Sequence, residues 1–151
     1  MPEAPLTDDP SIPNNELLYH RVYPDPHGIY IEPTSREPRP TSGAFRSKGP
    51  EPLSVDLASL TTPEESLSRA PRPGFYLAVV RAGVIRGPET GCGIVRHAEP
   101  GNVAHALVYG RGRGGALTKG QREKVAQQAR FIVVDEQAVG EARERAKTED
   151  N

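Results

Sequence analysis

The apolar positions of the chain fall into short runs separated by turn residues, a pattern typical of a sheet of short strands. The most hydrophobic run, 75–80, predicts a central strand, and 53–57 alternates apolar and polar residues as a half-buried strand does. Other apolar runs predict strands at 17–23, 29–31, 93–97, 104–109 and 131–134. Residues 25–28 have turn composition, so the strands on either side of them are predicted to form a hairpin.

Helices are predicted from their start signals. Thr62 precedes Pro63 and lies three residues before Glu65, which predicts an N-cap, a favoured first position and a capping box. Thr118 is predicted to cap a longer helix that continues to about residue 129. A short helical turn at 82–86 and an exposed final helix at 136–147 complete the set.

These elements predict a single α+β domain. Its sheet is predicted to be mixed but mainly antiparallel, with five or six short strands covered by helices at 118–129 and 63–69. Acidic, proline-rich residues 1–15 predict a disordered lead, 16–135 the domain, and 136–151 a charged C-terminal helix or tail. The predicted core residues are Phe75, Leu77, Val79, Val95, Leu107, Val108, Val125, Ile132 and Val134.

Composition narrows the class of protein. The single cysteine, Cys92, excludes an intramolecular disulfide and a cysteine zinc cage, and it indicates a reducing cytoplasm. No apolar run is long enough for a membrane span and the N-terminus has no secretion signal, so we expect a cytoplasmic protein without membrane contact. A net charge of −1 gives no overall attraction to nucleic acid.

The first candidate site follows the strand at 104–109. Gly110, Gly112 and Gly115 match the G-x-G-x-x-G fingerprint of dinucleotide sites, and Asp135 could bind a ribose. The predicted cap at Thr118 comes too late for that motif, and no second β-α-β half follows. A Walker A loop is excluded because alanine and leucine stand where lysine and serine or threonine are required.

Basic residues make this loop a candidate anion site. Residues 111–130 contain six basic residues against Glu123 alone, and amides near a helix N-terminus favour anions. The alternative interpretation is a solvated helix face. The predicted ligand-binding residues are Arg111, Gly112, Arg113, Gly114, Lys119 and Arg122. Only Tyr109 and Phe131 flank the cluster, so sequence-specific nucleic-acid binding is not supported.

The histidines give two further hypotheses. His97 and His105 flank one turn, and in a hairpin they could act as base and acid in metal-independent phosphodiester cleavage, with Arg96 or Arg111 alongside. No two histidines have helical ligand spacing, so neither a metal site nor a cofactor is predicted. The second hypothesis is a groove for NAD formed by His20, Arg21, Thr41 and Ser42, with Glu65 or Asp56 as the acid.

Four segments of the chain resemble a family of small uncharacterised bacterial proteins. They are Arg21-Val22, residues 40–45 (Pro-Thr-Ser-Gly-Ala-Phe), residues 53–56 (Leu-Ser-Val-Asp) and the run Asn102-Val103-Ala104-His105-Ala106 continuing to Gly110. The family carries Pro-Ser-Ser-x-Ala-Phe, Leu-Ser-Val and Asn-Pro-Ala-His-Ala in the same order, and the likeness covers roughly residues 19–134. The resemblance implies a bacterial source and a single domain, and it implies no reaction.

Three functions are therefore expected in order. The first is a binding or accessory protein that acts through a protein partner or a phosphate-bearing ligand near residues 105–122. The second is a metal-independent ribonuclease or toxin-like enzyme that uses His97 and His105. The third is an NAD- or nucleotide-binding enzyme.

Overall fold

A computed structural model describes residues 7–23, 25 and 27–149, and these form an α+β fold. The strands are β1 (Leu17–Val22), β2 (Ile29–Ile31), β3 (Pro38–Pro40), β4 (Leu53–Leu57), β5 (Tyr76–Arg81), β6 (Gly93–Arg96), β7 (His105–Tyr109) and β8 (Arg130–Ile132). The helices are α1 (Pro63–Ser68), α2 (Ala82–Arg86), α3 (Lys119–Gln128) and α4 (Glu136–Glu149). The predicted class is confirmed.

Six strands form one sheet in the order β6-β7-β4-β1-β5-β8. Every neighbouring pair in it is antiparallel, so the sheet lacks the predicted mixed character. Strand β1 lies inside the sheet and pairs with β5 along its whole length, from Leu17 opposite Arg81 to Val22 opposite Tyr76. On its other side β1 pairs with β4.

Each sheet face has its own apolar layer, because successive side chains of a strand point to opposite faces. On the first face, Leu18, Val55 and Val108 pack with Val125 of α3 and with Phe45, which anchors the 42–45 segment as a 3₁₀ turn. On the second face, Leu77 and Val79 pack with Leu67 of α1 and Val139 of α4. Helix α1 contacts β1 and β5, and α4 packs against α1.

Both predicted threonine N-caps are confirmed, but the capping box predicted at Thr62 is wrong for the described residues, in which the Glu65 carboxylate accepts from the Thr61 hydroxyl at 3.4 Å. The Thr62 side chain accepts a hydrogen bond from the N–H of Glu65, and Pro63 is the first residue of α1. Helix α3 has a complete capping box, in which Thr118 and Gln121 each bind the other's backbone. Local sequence is sufficient for these ends because all the partners lie within one turn.

Three further sequence predictions are wrong, the third of them in part. Strand β2 pairs with β3 in a separate two-stranded sheet, because β4 and β5 already occupy both sides of β1. The predicted buried strand at 131–134 is instead the short edge strand β8, and Val133 beyond it is fully exposed. Four core residues, Leu77, Val79, Val108 and Val125, are buried as predicted, whereas Phe75, Val95, Leu107, Ile132 and Val134 are half-buried.

The ends of the domain are also more tightly packed than predicted. The expected disordered lead does not hold for residues 8–12, since Ile12 is buried and Asp8 forms an ion pair with Arg86; residues 1–6 lie outside the described part. Helix α4 is not wholly exposed, because Val139 and Ala142 are buried. Over the described residues, no helix combines the length and apolarity that a membrane span requires.

Candidate functional site

His97 and His105 meet at the end of the β6–β7 hairpin, as the sequence predicts. The N–H of His97 donates to the carbonyl oxygen of His105 at 2.9 Å, which continues the ladder one step beyond β6. Residues opposite each other in such a ladder point to the same sheet face. The two Nδ1 atoms therefore lie 3.2 Å apart, and the imidazole rings meet edge to face.

Glu99 is the third member of this cluster, and sequence reasoning missed it. A bridge between Glu99 and Asn102 closes the turn, with both backbone hydrogen bonds formed. This places Oε1 of Glu99 at 3.1 Å from Nδ1 of His105 and 3.7 Å from Nδ1 of His97. The His105 side chain is 8% exposed, whereas those of His97 and Glu99 are about half exposed. The cluster thus has one buried and two accessible members.

This geometry does not favour metal-independent cleavage by two histidines. That mechanism needs two separate imidazoles on either side of a phosphate, and here the two Nδ1 atoms lie within hydrogen-bond distance of each other. Arg96, one of the cations expected nearby, instead pairs with Asp9 at 3.4 Å and bonds to Ser11. The two histidines of the ribonuclease hypothesis therefore do meet, but the gap between them is too small for a phosphate group.

Next to this cluster lies the buried carboxylate of Asp56, the cross-strand neighbour of His105. Its side chain is 1% exposed. Oδ2 accepts hydrogen bonds from Ser66 at 2.6 Å, Arg21 at 3.1 Å and Arg69 at 3.3 Å. Oδ1 accepts one from Asn102 at 2.9 Å. A buried charge needs this many partners, and here they come from β1, α1 and the hairpin turn.

The partners determine the charge of Asp56. Burial by itself would raise the pKa of its carboxyl group. Hydrogen bonds from Ser66 and Asn102, followed by the charges of Arg21 and Arg69, outweigh burial and lower the pKa below its ordinary value. The carboxylate is therefore ionised near neutral pH, and two guanidinium groups share it.

His20 connects three segments on the other side of β1. Its Nδ1 lies 2.9 Å from the carbonyl oxygen of Ser54, and its Nε2 lies 2.8 Å from that of Ala44. Both partners are acceptors, so only the doubly protonated ring donates to both. Burial lowers the pKa of His20, and the two carbonyl groups oppose that shift without cancelling it. The ring also packs on Phe45.

A cleft of about 460 Å³ opens beside His20 and Arg21. Its walls are the loop after β1, the 43–48 segment and the first half of β4. Two aromatic rings, Tyr23 and Phe75, line it and contact each other edge to face at 5.5 Å between centroids. The charged side chains in its lining are Arg21, Arg46, Lys48, Asp25 and Glu51.

The cleft brings together part of the set predicted for an NAD groove. His20 and Arg21 line it, and the 41–45 segment is joined to His20 through the carbonyl group of Ala44. Thr41 and Ser42 are not among the lining residues; the Thr41 hydroxyl donates to the carbonyl oxygen of His27 and so supports the wall. Of the two predicted acids, Asp56 binds Arg21, whereas Glu65 lies on the exposed side of α1.

The glycine loop after β7 uses its own amides. The N–H of Gly110 donates to Gly115 at 2.7 Å, and that of Gly112 donates to Ala116 at 2.8 Å. The N–H of Arg111 donates to Oε1 of Gln121 at 2.9 Å. These are the donors that an anion or a pyrophosphate would need. The structure therefore does not support Gly112 as part of an anion cradle.

Gly114 has a packing role instead. Its φ of 67° is in the left-handed region, and an added Cβ would lie 1.9 Å from the carbonyl oxygen of Pro50. No larger side chain fits against that segment without displacing backbone. The three glycines of the G-x-G-x-x-G match are also closely packed: an added Cβ at Gly110 or Gly112 would lie 2.8 or 2.6 Å from the carbonyl oxygen of Ala116, and one at Gly115 would lie 3.1 Å from Cγ of Pro52.

The predicted cations of this loop are dispersed. Arg111 lies against Gly91, where an added Cβ would be 3.2 Å from its Nη1. Arg122 donates to the carbonyl oxygen of Leu117, and its buried Nε has no hydrogen-bond partner among the described residues. Arg113 and Lys119 are exposed and form no ion pair with any residue that the structure describes. Within the described part of the chain, these four side chains therefore do not converge on one point where an anion could bind.

The four segments that carry the family resemblance join in space. Arg21 and Asn102 both bind Asp56, and the Ala44 and Ser54 carbonyl groups both bind His20. Their side chains and carbonyl groups thus hold strands β1 and β4, the 3₁₀ turn and the hairpin turn together. No family model, curated protein or solved structure matches the chain, and the resemblance stays a prediction.

Proposed function

We propose that the protein binds a nucleotide, a ligand with a planar base and phosphate groups, in the cleft beside His20 and Arg21. The proposal keeps the expected class, a binding protein for a phosphate-bearing ligand in the cytoplasm. It moves the site away from residues 105–122, because the amides of that loop bond within the protein. It also draws on the third hypothesis, in which His20 and Arg21 belong to a nucleotide site.

The observation that carries the proposal is the combination of cations and aromatic rings in one cleft. Arg46 and Lys48 are exposed, line the cleft and form no ion pair within the described residues. Asp25, an acid of the same lining, is occupied by the backbone N–H groups of His27 and Gly28. An anion entering the cleft therefore meets two cations without a fixed partner.

Aromatic rings supply the surface for a base. Tyr23 and Phe75 line the cleft, and the guanidinium group of Arg72 lies 4.3 Å from the centre of the Tyr23 ring. A planar base can stack on such rings whatever its hydrogen-bonding pattern. Arg72 is not among the lining residues, but its guanidinium group adds a positive charge beside the Tyr23 ring.

Arg21, one of the residues that line the cleft, is already held in place on the face of β1 opposite to His20. Arg21 uses its Nη1 for Asp56 and for the carbonyl oxygen of Ser66, so its position does not depend on a ligand. Within the described part of the chain, its Nε and Nη2 atoms have no hydrogen-bond partner. A side chain that is held in place and keeps free donors binds a phosphate with little loss of rotamer entropy.

The test measures binding of ATP, NAD and inorganic phosphate by titration calorimetry. We expect a double substitution, Arg46→Ala with Lys48→Ala, to weaken nucleotide binding by about 100-fold or more, because each of the two charge-assisted hydrogen bonds contributes about 1.5–3 kcal/mol. A second double substitution, Arg113→Ala with Lys119→Ala, removes the same charge from the glycine loop and helix α3. We expect it to leave binding unchanged.

Each outcome decides between sites. Loss of binding in the Arg113 and Lys119 variant alone would return the ligand to the loop and refute the cleft. Equal loss in both variants would show only attraction by overall charge. Absence of binding by all three ligands to the unmodified protein would end the nucleotide proposal.

A further inference from the structure

We propose that His97, Glu99 and His105 form a site for a divalent transition-metal ion, with zinc the best match. The site lies at the end of the β6–β7 hairpin and is independent of the proposed nucleotide cleft, since none of the three residues lines that cleft. The sequence predicted no metal site, because no two histidines have the spacing of a helical ligand pair. A hairpin turn brings the ligands together instead.

The three donor atoms already have the spacing of a coordination face. Nδ1 of His97, Nδ1 of His105 and Oε1 of Glu99 are separated by 3.2, 3.1 and 3.7 Å. A tetrahedral zinc ion with ligands at about 2.0–2.1 Å places any two of them roughly 3.3 Å apart. The side chains therefore need only small adjustments to bind one ion together.

Without a cation, the cluster holds an excess of lone pairs. The carbonyl oxygen of His97 is a fourth acceptor, 2.8 Å from Nδ1 of His105. The N–H of one neutral imidazole cannot satisfy all these neighbours, and the two facing Nδ1 atoms cannot both carry a proton without repulsion. A metal ion replaces the shared proton, moves the hydrogen of His105 to Nε2, and binds the lone pairs directly.

The donor set selects the type of ion. Two imidazole nitrogens and one carboxylate oxygen suit zinc and its neighbours in the first transition series, whereas calcium and magnesium prefer oxygen ligands throughout. Three protein ligands leave one tetrahedral position for water or another ligand. That position is accessible, because the side chains of His97 and Glu99 are 55% and 49% exposed.

The surrounding structure supports the ligands. Asn102 closes the turn that carries Glu99, and its amide group donates to buried Asp56 at 2.9 Å. The Asn102 side-chain oxygen also accepts from the N–H of Ala104, the residue before His105. Such supporting contacts restrict the movement of ligand side chains and strengthen metal binding. Asp56 and Asn102 thus act as positioning residues for the cluster.

Metal binding is measured on the untagged, full-length protein with Zn²⁺ by titration calorimetry and with Co²⁺ by visible absorption. We expect one ion per chain and the intense absorption bands of four-coordinate Co²⁺. His97→Ala should weaken Zn²⁺ binding at least about 10-fold, and Glu99→Gln should do the same with little change of shape.

His27→Ala is the matched control, since His27 is also exposed and belongs to the cleft rather than to the hairpin. It should leave Zn²⁺ binding unchanged. Thermal melts of both hairpin variants without metal should match the unmodified protein, which separates loss of a ligand from loss of the fold. Failure to bind Zn²⁺ more tightly than about 100 µM, or equal loss in the His27 variant, would overturn the proposal.

Discussion

Asp56→Asn is the sharpest test of how the domain is held together. Asp56 accepts four hydrogen bonds and neutralises two guanidinium groups while its own side chain is 1% exposed. The amide keeps the shape and removes the charge. Whichever way it turns, its NH₂ group faces a donor, either Asn102 on one side or Ser66 and the two arginines on the other.

The expected loss is large for a domain of this size. Breaking a buried ion pair by removing one partner costs about 3–5 kcal/mol. The Arg21 and Arg69 side chains are each 25% exposed and keep some contact with water, which favours the lower end, about 3 kcal/mol. Domains have a free energy of unfolding of about 5–15 kcal/mol, so the variant should unfold at a much lower urea concentration.

Urea unfolding followed by far-ultraviolet circular dichroism measures this loss, since the chain has no tryptophan for fluorescence. Glu144→Gln, which removes an exposed carboxylate paired with Lys147, is the control and should have no measurable effect. A loss below about 1 kcal/mol in Asp56→Asn would refute the reasoning, because it would mean that the four hydrogen bonds contribute no more than one ordinary bond does.

The pH dependence of the unfolding free energy is a second test of the Asp56 interactions. The pKa of Asp56 is lowered in the folded protein, so its stabilisation is fully present above the unfolded pKa of about 3.9. It is lost as the pH falls through the folded value. The difference in unfolding free energy between the unmodified protein and Asp56→Asn should therefore narrow below about pH 4. If this difference in unfolding free energy stayed constant down to about pH 2.5, it would contradict the conclusion that Asp56 is ionised in the folded protein.

Two further predictions concern packing. Gly114→Ala should destabilise the fold by about 1–3 kcal/mol, since the added methyl group meets the Pro50 carbonyl oxygen. Gly120→Ala in α3 meets no neighbouring atom and should stabilise the fold by about 0.5–1 kcal/mol. Urea unfolding of both variants measures these changes, and equal shifts in the two would refute the reasoning. Burial raises the pKa of the Cys92 thiol to about 11, so Cys92 should resist alkylation by iodoacetamide near pH 8 until urea unfolds the protein; rapid labelling of the folded chain would contradict its burial.

The sequence was most informative where structure depends on near neighbours. Thr118 and Gln121 form a capping box within one turn, and their spacing alone predicts it. The partner of β2 depends instead on which strands occupy β1, a choice made among residues far apart in the chain. Strand runs could be predicted, whereas their order in the sheet could not.

The candidate sites show the same division. The turn between His97 and His105 predicts their meeting, because a hairpin sets both on one face. Glu99 was missed since its carboxylate reaches the histidines only through the geometry of the Glu99–Asn102 turn. The glycine spacing at 110–115 was misleading for a physical reason: the close approach of Gly110 and Gly112 to Ala116, and of Gly115 to Pro52, leaves little room for a side chain, just as close approach to a pyrophosphate would.

The chain before β1 has a consequence for solubility. Strand β6 ends the sheet on one side, and at Ile94 its outward N–H and carbonyl groups are already bonded, to the Asp8 carboxylate and the Asp9 N–H at 2.8 Å each. Unpaired groups there would template the addition of a strand from another molecule. Residues 8–12 thus protect the β6 edge from pairing with a strand of another molecule. A truncated protein that begins at β1 would lack these residues, and we expect it to aggregate more readily.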